Sequence, residues 1–143
     1  MKLILLGAGA SYGSGPTEPN NPPLGNTLFN ELEKRGEISA SVPKEIKELF
    51  RSDFEKGMAA YTEHTNDNTI GFQRELARYL ASFTPLEGNT YIELIKSFGI
   101  KNTVYASLNY DLLFELSASS MNINTCYSTE RAENHVPLLK IHG

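Results

Sequence analysis

Three short stretches of this 143-residue chain carry residue types that do chemistry. The first is Gly7-Ala8-Gly9-Ala10-Ser11-Tyr12-Gly13. Glycines without a Cβ let backbone N–H groups approach a pyrophosphate, and the start of a helix or turn adds a favourable dipole. The spacing is GxGxxxG, not the GxGxxG of the common dinucleotide fingerprint. The competing reading is a tight strand-to-helix turn that holds no ligand. The second stretch is Asn109-Tyr110-Asp111. An amide and a carboxylate at the carboxyl end of a strand are placed to hold a ribose hydroxyl, a water or a carboxamide, because open α/β sheets bind ligands there. Asn and Asp are also the favoured residues for Asx turns and N-caps at such corners. The third is His142, after Leu138-Leu139-Lys140-Ile141. An imidazole titrates near neutral pH and suits a general base, while a lone histidine also serves as an ordinary hydrogen-bonded residue.

The remaining reactive side chains carry less. His64 and His135 lie in polar stretches and are expected to be solvated. The three histidines have no metal-ligand spacing, so no metal site is expected. Cys126 is the single cysteine, which excludes an internal disulfide and a one-chain CxxC zinc site. It reads as a buried structural thiol.

The elements that would position these groups follow from periodicity. Lys2 to Leu6 is an apolar run that reads as a fully buried strand of a parallel sheet. Gly7 to Gly15 then reads as a glycine-rich loop. Pro16 to Pro23 is excluded from helix and central strand, and is either a mobile lid or an ordered surface connection. Gly25 to Gly36 is helical, with Leu28, Phe29 and Leu32 on one face and Gly36 as the stop. Pro43 opens a second helix with the stripe Ile46, Leu49 and Phe50. Ser52 to Glu55 has capping-box spacing and opens a third, carrying Phe54, Met58 and Tyr61. Thr65 to Thr69 is a polar break. Phe72 to Phe83 is amphipathic, and Tyr91 to Phe98 is a short helix closed by Gly99. Thr103 to Leu108 alternates with period two and reads as a strand. Leu112 to Leu116 starts another helix, and Ile123 to Tyr127 and Val136 to Ile141 are further strands.

This order predicts an α/β fold: a Rossmann-like, doubly wound parallel sheet, incomplete, with a helical insertion over 25–98 inside a single domain spanning 1–143. Composition agrees with a globular domain, at 40% hydrophobic and 21% charged residues. Thirteen Lys and Arg against 17 Asp and Glu give a net charge of −4 with no basic run, which disfavours nucleic acid and anionic membrane as partners. No apolar run approaches a membrane span. The apolar stretch after Met1-Lys2 is too short for a secretory signal. One cysteine fits a reducing, cytoplasmic setting.

Taken together, Gly7-Ala8-Gly9-Ala10-Ser11, Ser107-Leu108-Asn109-Tyr110-Asp111 and Lys140-Ile141-His142-Gly143 resemble the glycine loop, N-x-D motif and catalytic His-Gly of the sirtuin-like family. The Asp-Phe-Arg element of the protein deacetylases is missing, since Ser14-Gly15-Pro16 is followed by Thr17-Glu18-Pro19. Asn109-Tyr110-Asp111-Leu112-Leu113-Phe114-Glu115 is similar to the N-Y-D-x-L-x-E form of the bacterial NADase effectors. That resemblance implies cleavage of the nicotinamide–ribose bond of NAD, as substrate, in an antiphage setting. It implies that Gly7, Ala8, Gly9, Ala10 and Ser11 line the pyrophosphate and ribose. Asn109 would position the attacking water or the nicotinamide ribose, Asp111 would contact the nicotinamide end, and His142 would be the general base. The family domain continues past its His-Gly motif. From 143 residues the resemblance therefore implies weak or no catalysis, and an open sheet edge that a second copy or a partner domain would cover. The alternatives are a non-catalytic module that binds NAD or ADP-ribose, an interaction domain without a ligand, and a protein deacylase.

Overall fold

The computed structural model of the chain describes residues 1–129 and 133–141. In chain order the elements are β1 (Lys2–Leu6), α1 (Ala8–Tyr12), β2 (Thr17–Glu18), α2 (Gly25–Lys34), a 3-10 turn (Ile38–Ser41), α3 (Lys44–Ser52), α4 (Phe54–His64), α5 (Ile70–Leu80), β3 (Thr84–Pro85), α6 (Thr90–Phe98), β4 (Thr103–Ser107), α7 (Leu113–Ser120), β5 (Asn124–Cys126) and β6 (His135–Lys140). They fall into two units: Met1–Pro22 with the chain from Leu80 onward, and Pro23–Tyr79. The helical stretch expected over 25–98 therefore divides. Helices α2 to α4 and nearly all of α5 form the second unit, whereas α6 belongs with the sheet.

The first unit is built on a four-stranded sheet in the order β1-β4-β6-β5, with every adjacent pair parallel. Helices flank it, and the result is an incomplete Rossmann-like α/β fold. Parallel strands need crossovers, and α7 supplies one between β4 and β5. Tyr105 of β4 and Tyr91 of α6 both pack on Phe114 of α7, with ring centroids 4.7 and 6.0 Å apart. Gly99 ends α6 at φ +70, a conformation that suits glycine and stops the helix.

The environment of β1 differs from the one expected of it. The apolar run of β1 was expected to be covered on both faces. Instead β1 is at the edge of the sheet, with Leu3 68% and Leu5 60% exposed. Its other face is partly covered, with Leu6 buried and the Lys2 ammonium 5.5 Å from the Phe98 ring centroid. The alternating strand β4 lies between β1 and β6 and is buried along its whole length. Its polar members are buried because each has a hydrogen bond. Thr103 Oγ1 donates to Phe98 O at 3.2 Å, Tyr105 Oη donates to Gly99 O at 3.0 Å, and Ser107 Oγ accepts from Asn109 N at 3.1 Å.

The proline-rich stretch begins with a short strand pairing. Thr17 and Glu18 of β2 pair antiparallel with Pro85 and Thr84 of β3, and Pro16 O accepts from Leu86 N at 3.0 Å.

The second unit is a helical cluster around stacked aromatic rings. Phe29 lies 4.4 Å from Phe50 and Phe50 lies 5.2 Å from Phe72, all nearly parallel, with Tyr61 and Phe54 against their sides. Gly57 of α4 lets this happen: an added Cβ would lie 2.6 Å from the Phe50 Cα and closer still to its ring. The capping residue of α4 is Asp53, whose carboxylate accepts from Glu55 N and Lys56 N. Ser52, which has the capping-box spacing, instead donates to Leu49 O at the end of α3. Leu49 is exposed although it lies on the expected stripe. Glu75 of α5 is fully buried and takes both donors of Ser39, the backbone N at 2.9 Å and Oγ at 2.5 Å.

Candidate functional site

The pairing of β1 with β4 ends at Leu6 opposite Ser107, and Leu108 N extends the ladder by donating to Leu6 O at 2.9 Å. The chains leaving these two strands are thus side by side. That brings the glycine stretch and Asn109 together from 102 residues apart. On the other side of β4, Ile141 N donates to Ser107 O at 2.9 Å. His142 and Gly143, the expected general base and its neighbour, lie outside the described residues.

The expected glycine loop begins as a helix. Gly7 is the N-cap of α1, in extended conformation, and the five residues Ala8–Tyr12 wind after it. The two alanines favour the helix, and Gly13 N closes it on Gly9 O at 3.0 Å. Neither Gly7 nor Gly9 has a positive φ, and a Cβ added to either would meet nothing within 4 Å. Packing and backbone conformation therefore do not require glycine at 7 or 9. Its effect there is to leave bare backbone beside open space.

Asn109 is the centre of the site. It is 6% exposed. Its Nδ2 donates to Gly7 O at 3.0 Å and to Ser11 Oγ at 2.8 Å, with Tyr91 Oη at 3.3 Å. Ser11 Oγ and Tyr91 Oη are themselves 2.8 Å apart. The Gly7 carbonyl only accepts, so it fixes which end of the amide faces the loop. The opposite end, Asn109 Oδ1, is buried and has no hydrogen-bond partner among the described residues. Counting donors gives a second open position. The amide has two protons and the hydroxyls one each, against acceptors on Gly7, Ser11 and Tyr91. One hydroxyl proton, on Ser11 or Tyr91, is left over. The cluster therefore offers one acceptor and one donor. A hydroxyl, a water or an amide N–H would satisfy the acceptor.

Tyr91 is held in place from behind. Its backbone N is capped by Asn89 Oδ1 at 2.9 Å, and Asn89 Nδ2 reaches Ser14 Oγ and Pro16 O, both at 3.2 Å. Burial pushes the Tyr91 phenol up to about 12, against a smaller lowering by its bond to Ser11. It is a neutral hydrogen-bonding group at physiological pH.

Asp111 is also buried, but Oδ1 is committed to Leu113 N at 3.0 Å, an Asx turn that starts α7. Its carbonyl accepts from Lys140 Nζ at 2.8 Å, and Lys140 pairs with Glu115 at 3.2 Å. This pair braces the end of β6 against the Asn-Tyr-Asp corner. It borders a cavity of about 450 Å³ lined by Tyr110, Leu112, Glu115, Tyr127, Leu139 and Lys140. Sequence reasoning missed the roles of Tyr91 and the Lys140–Glu115 pair. The available signal was a tyrosine just inside an Asn-capped helix, where an aliphatic residue would fill the same stripe.

Among the remaining residues, Cys126 is half-buried rather than buried, with Sγ 3.3 Å from Ser128 Oγ. His64 is exposed, and His135 Nδ1 lies 2.7 Å from Glu133 O. No group of three or more His, Cys, Asp or Glu side chains is placed to hold a metal ion among the described residues. No helix there is long and apolar enough to cross a membrane. The chain matches no protein-family model, no curated protein and no solved structure.

Proposed function

We propose that this chain binds NAD at the carboxyl ends of β1 and β4 and belongs to an NAD glycohydrolase of sirtuin-like type. The observation that carries the reading is the Asn109 amide, anchored on Gly7 O and Ser11 Oγ, with its buried Oδ1 unpartnered. A ribose hydroxyl or a water would donate to that open acceptor. Beside it, the bare backbone of Gly7 and Gly9 leaves room for the pyrophosphate.

In the reaction, the bond between the ribose C1′ and the pyridinium nitrogen breaks, and its electron pair returns to the ring as neutral nicotinamide leaves. Positive charge builds on C1′ and the ring oxygen. Water adds to C1′ and gives up a proton, and ADP-ribose is the other product. Asn109 Oδ1 would hold the water or the ribose hydroxyl in line, and fixed dipoles that need no reorganisation lower the barrier most. His142 would take the proton, as the resemblance implies.

The test is release of nicotinamide from NAD by the chain, with Asn109→Ala and His142→Ala alongside. Turnover lost in both variants supports the reading. NAD binding without turnover supports a second one, a non-catalytic NAD or ADP-ribose module. That reading is favoured by the commitment of Asp111 Oδ1 to the start of α7, which leaves this carboxylate oxygen structural.

A further inference from the structure

Tyr91 carries no expectation from the sequence beyond helix formation, yet its hydroxyl belongs to the Asn109 cluster. We propose that Tyr91 is a positioning residue of this site: through Ser11 it fixes the lateral placement of the Asn109 amide, and so the point where Oδ1 meets the ligand. The proposal rests on the NAD reading for its catalytic consequence but on geometry for the placement itself.

Three observations support it. First, Gly7 O sets which end of the amide faces the loop but holds it by one proton only, leaving the side chain free to swing about that bond. The second amide proton is held by Ser11 Oγ at 2.8 Å, and a serine hydroxyl is a rotor with no fixed direction of its own. Tyr91 Oη, 2.8 Å from Ser11 Oγ and 3.3 Å from Asn109 Nδ2, turns the contact into a closed triangle. Second, Tyr91 cannot yield. It is 3% exposed, its ring meets Phe114 edge-on at 84°, and its backbone N is capped by Asn89. Asn89 in turn bonds Ser14 and Pro16, the segment that follows Ser11, so the tyrosine and the serine share one anchor. Third, a phenylalanine would fill the same apolar space and keep the ring contact. The hydroxyl is the only part of the side chain that the core does not need.

The test uses Tyr91→Phe in the full chain, with Ser11→Ala as the second variant. The first readout is the side-chain amide of Asn109 by nuclear magnetic resonance. Its protons should exchange with solvent about fivefold faster in Tyr91→Phe, the effect of one lost hydrogen bond, with the melting midpoint little changed. Ser11→Ala should do the same, and the double variant no more than either alone, since both break one triangle. The second readout is NAD turnover, where kcat should fall about tenfold with KM nearly unchanged. Unchanged Asn109 exchange in Tyr91→Phe overturns the proposal, as does faster exchange with unaltered kcat in an active wild type. If wild type neither binds nor cleaves NAD, the functional reading fails on its own. The amide exchange then still decides whether Tyr91 places Asn109.

Discussion

Replacing Asn109 by aspartate changes one atom at the centre of the site and has a signed, pH-dependent consequence. Whichever way the new carboxyl turns, one oxygen takes the position of Nδ2, 3.0 Å from the Gly7 carbonyl. Two acceptors at that distance repel, so the carboxyl keeps its proton and donates it to Gly7 O, opposed by the Ser11 and Tyr91 hydroxyls, which can turn to donate to a carboxylate. Burial at 6% exposure also favours the neutral form. The folded-state pKa of the new group is therefore raised, by about 2 units for a carboxyl so placed. Stability from this group is full below the unfolded value near 4 and is lost as pH rises through the folded value near 6, a total of about 2.7 kcal/mol. The assay is urea unfolding of wild type and Asn109→Asp at pH 4 and pH 8. The difference between the two proteins should grow by roughly 2–3 kcal/mol from the lower to the higher pH. A difference that does not depend on pH, or that shrinks as pH rises, refutes the placement of Nδ2 against Gly7.

Further outcomes follow from the packing. Gly57→Ala should destabilise the chain by about 2 kcal/mol or more in urea unfolding, because the Phe50 backbone itself is 2.6 Å from the new Cβ. Asp53→Ala should cost about 1 kcal/mol and Ser52→Ala less than about 0.5, since Asp53 caps α4 and Ser52 does not. In an alkaline absorbance titration Tyr91 and Tyr105 should ionise last, both being pushed up to about 12 by burial. Because their folded pKa is raised, the stability they contribute should fall as pH climbs from about 10 towards 12.

Much of the candidate site's geometry was legible in the sequence because it lies at strand ends. A glycine stretch after an apolar run, and Asn-Tyr-Asp after an alternating one, are local patterns, and parallel pairing of β1 with β4 brings them together. What was not legible depends on what packs against each face. Leu3 and Leu5 read as buried because apolar runs usually are, but a run shows nothing of what packs on each face, and their face of β1 is exposed while the face of Leu6 is partly covered. Strand β4 was legible from its alternation, and backbone partners 2 to 6 residues away let its polar members Thr103, Tyr105 and Ser107 be buried as well. Capping was misread by one residue because Glu55, three positions on, favours Ser52 by spacing, whereas the Asp53 carboxylate accepts from Glu55 N and Lys56 N. Tyr91 was invisible as a site residue because its partners, Ser11 and Asn109, are 80 and 18 residues away.

The most direct test of the proposed NAD-binding site is the melting midpoint of the chain with and without NAD, in wild type and in Asn109→Ala. Ligand at 100 times its dissociation constant stabilises by about 2.7 kcal/mol, a rise of several degrees for a domain of this size. The expected result is that rise in wild type and its loss in Asn109→Ala. No rise in wild type, or an equal rise in the variant, contradicts a nucleotide site built on Asn109.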